Sequence, residues 1–123
     1  MGPVGLAAGL MAGGGSGSRD GQSASAVMAS NVAGWKGTVV AVPVAGHPAQ
    51  TQIYVSATAT RQYGTYVIEV VDRDGGLHRY DGVSLTDGKV VWSRTLAEPV
   101  ANLTTIRMVT ADGTILCHAT LRA

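Results

Sequence analysis

Residues 63–96 read YGTYVIEVVDRDGGLHRYDGVSLTDGKVVWSRTL, and this stretch decides the fold. Runs of β-branched and aromatic residues are cut by Asp74-Gly75-Gly76 and by Asp87-Gly88. Each cut supplies a glycine able to take the positive φ that tight hairpin turns demand, so the flanking runs read as antiparallel neighbours. Successive residues of a strand point to opposite faces. Tyr66, Ile68 and Val70 therefore share one face of their strand, and Val90, Trp92 and Leu96 share one face of theirs.

The same texture extends in both directions. Predicted strands cover 38–44, 52–58, 65–72, 77–80 or a little beyond, 89–96, 103–109 and 114–121, the last two joined across Asp112-Gly113. Short strands at this spacing, with explicit turn signals and no helical periodicity after Trp35, are the pattern of sandwiches and barrels. The expected fold is all-β, an immunoglobulin-like antiparallel β-sandwich of about seven strands over residues 34–123. Pro43 falls inside a predicted strand and cannot donate to a ladder, which places it at a sheet edge or a bulge. Near the C-terminus Ile115, Cys117, Ala119 and Leu121 alternate with Leu116, His118 and Thr120, so Cys117 is assigned to the core. Val67, Val71 and Val91 occupy the opposite faces of their strands, an indication that some strands are covered on both sides.

Residues 1–33 have another character. MGPVGLAAGLMAGGG, residues 1–15, is uncharged but short of the roughly 20 apolar residues that a membrane helix needs. It reads as the end of such a helix in preference to a signal peptide, since no Lys or Arg precedes the apolar run and Arg19 and Asp20 intervene before Ala24-Ser25-Ala26, with a flexible leader as the further alternative. Residues 13–30 are mostly Gly, Ser and Ala with two charges, the composition of a flexible linker, and packed structure is expected only from about Val32.

Composition narrows the function classes. A chain of 123 residues with 46% apolar and 14% charged residues suits one domain with one core. Nine Lys and Arg against eight Asp and Glu, with no run of either sign, give +1 and no basic footprint for a phosphate backbone, so no nucleic-acid partner is expected. Cys117 is the only cysteine and excludes an intramolecular disulfide.

The search for chemistry returns no catalytic, cofactor or metal residues. His47, His78 and His118 lie in separate segments and read as solvated side chains, and Cys117 and His118, as strand neighbours, point apart and cannot act as a dyad. Asp72, Asp74 and Asp81 cluster about one hairpin, where oxygen ligands can take calcium. Arg73 and Arg79 interrupt that cluster, and Asp-Gly turn chemistry already accounts for Asp74. Trp35 either staples the start of the domain or marks a contact surface. With Tyr63 it forms the candidate interaction surface.

Three segments in order, GWKGTVVAVPVAG (34–46), YGTYVIEVVDRDGG (63–76) and TTIRMVTADGTIL (104–116), carry a family likeness. In that order the chain resembles the extracytoplasmic domain of actinobacterial membrane-bound anti-sigma factors, most specifically in Gly-Trp-x-Gly-Thr at 34–38 and Asp-x-Asp-Gly at 72–75. The resemblance implies a non-catalytic sensory or interaction domain outside the cytoplasm, in envelope-linked control of transcription, with protein partners in the envelope and membrane contact only through the N-terminal remnant. The chain holds no H-x-x-x-C-x-x-C motif, so direct binding of a sigma factor does not carry over. The alternative is an exported β-sandwich module that binds carbohydrate or protein.

Overall fold

The computed structural model describes residues 23–121, and they form one closed antiparallel barrel of eight strands. The strands are β1 (Ala24–Ser30), β2 (Lys36–Val44), β3 (His47–Thr58), β4 (Tyr63–Asp72), β5 (Leu77–Thr86), β6 (Lys89–Leu96), β7 (Leu103–Val109) and β8 (Ile115–Thr120). A single 3-10 turn, Val100–Asn102, precedes β7. Around the barrel the order is β1-β2-β3-β6-β5-β4-β7-β8, and β8 returns to β1.

The all-β antiparallel expectation holds, whereas two facing sheets are replaced by one sheet closed on itself. The physical reason is β1. Its sequence, ASAVMAS, falls in the stretch read as linker, yet it pairs with β2 from Ala24 opposite Ala41 to Met28 opposite Gly37, and with β8 through Ala29 and Ser30. Ala24 and Met28 point into the core while Val27 faces solvent. Packed structure thus begins before Val32, and the strands number eight. The apolar run at 4–12, with its membrane-anchor reading, lies outside the described residues.

The turns behave as their chemistry requires. Gly75, Gly88 and Gly113 all have positive φ, and Asp87 joins Gly88 there with φ 52°. Pro43 pairs with Thr51 at a register shift between Pro43 and Val44. It also lies past Ala41, where pairing with β1 stops, so its missing N–H interrupts no ladder on that side.

The motif at 34–38 has a steric explanation. Gly34 takes φ +89°, which reverses the chain after β1, and Trp35 then turns inward to meet Tyr66 edge-on at 5.0 Å between ring centroids. Gly37 sits against β3 so closely that a Cβ would fall 2.5 Å from the Ser56 carbonyl oxygen. Trp35 is only 5% exposed, so of its two readings the staple holds and the contact surface shared with Tyr63 does not.

The interior is filled by Val39, Ile53, Val55, Ile68, Val70, Val90, Leu103, Ile106 and Met108. Cys117 joins them with its Sγ 3.7 Å from Met28 Sδ, and burial pushes its thiol up to about 11. Ile115, expected on the same face, is instead exposed, because a register shift between Met108 and Val109 rotates the start of β8. Closure is uneven. β5 and β6 pair only at Thr86 and Lys89, beside their turn, and beyond it the seam is spanned by side chains. There Tyr80 meets Trp92 at 5.3 Å, and the Arg94 guanidinium lies 5.0 Å from the Tyr80 ring centroid.

The packing of β1 is measurable. Met28→Ala is expected to cost about 2–5 kcal/mol, the range for a large side chain lost from a core. Val27→Ala, one residue away on the outer face, should stay within about 0.5 kcal/mol. Urea unfolding of the two variants checks this; equal small effects would return residues 24–30 to a linker.

Candidate functional site

Three surface features stand out from the barrel. The first is at the β4–β5 hairpin. Asp72 ends β4, and its Oδ1 accepts the backbone N–H of Asp74 at 2.9 Å and of Gly76 at 2.8 Å, which ties the turn. His78, near the start of β5, places Nε2 2.5 Å from Glu98 Oε2 and 3.6 Å from Asp72 Oδ2. Glu98 comes from the loop after β6, and its Oε1 accepts from Asn102 Nδ2. The loop is fastened to the barrel on several sides: Thr51 Oγ1 donates to the Glu98 carbonyl at 2.6 Å, and the Arg73 backbone N–H donates to the Asn102 carbonyl at 2.9 Å. Arg73 Nε also donates to the Ala101 carbonyl at 2.5 Å.

Hydrogen bonding from the Gly76 amide holds the Asp72 carboxyl below the ordinary carboxylate range, against an opposing contribution from burial. The Asp74 amide adds to the lowering. Asp72, His78 and Glu98 bring one ligand-type atom each to within 4.8 Å of one another. Such a group can share protons or hold a cation.

The second feature is a charged row across β5, β4, β7 and β8, where Arg79, Glu69, Arg107 and His118 stand opposite one another in turn. Glu69 is buried between the arginines, with Arg107 Nε 2.7 Å from Oε1 and Arg79 Nη1 3.1 Å from Oε2. Arg79 Nε also reaches Asp81 at 3.4 Å. The row ends at His118, whose Nδ1 is 2.6 Å from Asn31 Oδ1.

The third feature lies on β1, β2, β3 and β6, and carries no charge. One row across these strands is Ser25, Val40, Tyr54, Ser93, and the next is Val27, Thr38, Ser56, Val91. All eight side chains are exposed, Val91 at 84% and Val27 at 77%. Lys36 and Lys89 border the second row, both aligned with Thr58.

The residues singled out from sequence fall in different places. Trp35 is buried, while Tyr63 presents its ring to solvent and donates to Asp87 Oδ1 at 3.0 Å. The three aspartates considered for calcium separate: Asp72 faces His78, Asp81 faces Arg79, and only the Asp74 backbone contributes to the hairpin tie. His78 is corrected from a solvated side chain to the centre of a polar cluster. Glu98 was not foreseen, since its separation of 20 residues from His78 leaves no local signal. Comparison with family models, with curated proteins and with solved structures finds nothing that matches this chain.

A carboxylate whose folded-state pKa is depressed stabilises the fold above its unfolded value and loses that contribution as pH falls through the folded one. Asp72→Asn is therefore expected to be less stable than the unsubstituted chain at pH 6, with the deficit shrinking at pH 3. Urea unfolding at the two pH values measures it, and a deficit independent of pH would assign the loss to shape alone.

Proposed function

We propose that this chain is a non-catalytic interaction domain working outside the cytoplasm, in the role implied by its resemblance to the outer domain of membrane-bound anti-sigma factors. The observation that carries the reading is the uncharged outer face of β1, β2, β3 and β6. Contiguous apolar area on a water-facing surface costs free energy and commonly marks a contact site. Here Val27, Val40, Tyr54 and Val91 are interleaved with serine and threonine, which offers apolar area together with short hydrogen-bonding groups.

The charge pattern defines the partner's chemistry. Lys36 and Lys89 border the Val27–Val91 row, and the face itself holds no charge. The complementary surface is an apolar protein segment edged with carboxylates, its charges steering approach and fixing register while the apolar centre supplies affinity. β1 belongs to this face, and the Gly- and Ser-rich stretch precedes it directly, so a partner seated here touches the strand by which the chain enters the barrel.

The test uses a displayed library of random peptides selected against the immobilised chain. Selected peptides are expected to be apolar with flanking Asp or Glu. Val91→Lys should weaken their binding at least about tenfold, or about 1.4 kcal/mol, with stability within about 0.5 kcal/mol of the original. Arg79→Ala, on the charged row, should leave binding unchanged. Enrichment of peptides that tolerate Val91→Lys would sink the reading.

A further inference from the structure

We propose that Asp72, His78 and Glu98 form a binding site for a divalent transition ion of the zinc class. The geometry is the first ground. A zinc ion holds nitrogen and oxygen ligands at about 2.0–2.2 Å, so adjacent donors around it stand roughly 3–3.5 Å apart. The His78–Asp72 separation of 3.6 Å already suits such an ion. The His78–Glu98 separation of 2.5 Å is shorter than such an ion needs and must open by about 1 Å.

The second ground is how the other atoms are committed. Asp72 Oδ1 is occupied by the amides of Asp74 and Gly76, and Glu98 Oε1 by the Asn102 side chain. Each carboxylate is thus fixed through one oxygen and turns the other toward His78 Nε2. Outer hydrogen bonds that orient a ligand set in this way are a regular part of metal sites. The Glu98 loop is itself held by Thr51 and Arg73, so the donors sit on fastened backbone.

The donor set selects the ion. Two carboxylates with a neutral imidazole carry two negative charges, which a divalent cation balances. Imidazole favours zinc and its neighbours, while magnesium and calcium prefer oxygen throughout. Three protein ligands leave a fourth position for water or for a donor from another molecule. His78 is 35% exposed in its side chain, so that position opens to solvent. None of the three residues lies in the uncharged rows, and the site does not depend on the partner reading.

Without an ion the same three side chains are a hydrogen-bonded polar cluster, and the experiment separates the two. Zn²⁺ is titrated into the full chain by calorimetry, with thermal unfolding followed in Zn²⁺, Mg²⁺ and Ca²⁺. One saturable Zn²⁺ site is expected, with Tm raised by Zn²⁺ and not by the other two at equal concentration. His78→Ala and Glu98→Gln should each weaken binding at least tenfold. His47→Ala and His118→Ala should bind as the original does. Glu98→Gln keeps an acceptor for Asn102, so it serves if His78→Ala folds poorly. Co²⁺ should give the visible absorption of a four-coordinate ion, lost in Glu98→Gln. Absence of saturable Zn²⁺ binding, or binding that survives both cluster variants, would overturn the proposal.

Discussion

A sheet has two edges unless its first strand meets its last, and in this molecule the meeting depends on β1. It lies between β2 and β8, supplies the hydrogen-bond partners of both, and carries Met28 into the core beside Cys117. Without it β2 and β8 would present open edges, a known route to misassociation. Closure makes the interior one continuous apolar space to which every strand contributes, so the chain does without disulfides at a modest size.

The outside of the barrel divides by chemistry. Where β5, β4, β7 and β8 face outward, the Glu69 carboxylate is buried between two arginines whose own side chains remain partly in water. A carboxylate so placed would be costly if left alone, and both arginines hydrogen-bond to it. Around the other half of the circumference the two central outward rows hold only valine, tyrosine, serine and threonine, with Lys36 and Lys89 at their border. The two halves are joined by the weak β5–β6 seam on one side and by β1–β8 on the other.

The sequence made the hairpins readable because their signals are local. Asp74-Gly75, Asp87-Gly88 and Asp112-Gly113 fix positive φ at known places, and Pro43 announces its bulge by chemistry alone. β1 was hidden because alanine and serine have little preference for strands, and its conformation is imposed by two neighbouring strands far along the chain. Only the faint alternation of Ala24, Ala26 and Met28 with Ser25 and Val27 hinted at it. Barrel and sandwich share turn spacing and strand length, and differ in whether the end strands pair, a long-range fact. The polar cluster was hidden for the same reason: the β4–β5 hairpin supplies Asp72 and His78, but Glu98 arrives from beyond β6.

The way β1 is attached also sets how the barrel answers a pull. Ala24, the first residue of β1, is paired with Ala41 at one end of the β1–β2 ladder, while the contacts with β8 lie at the other end, at Ala29 and Ser30. A pull on the chain before Ser23 that is directed across the strands would load the β1–β2 pairs one after another from Ala24 onward, whereas a pull along the strands would load them together. A ladder opened in this zipper sense yields at far lower force than one sheared along its length. The strand that closes the barrel is thus also the strand that a load directed across it would peel away first.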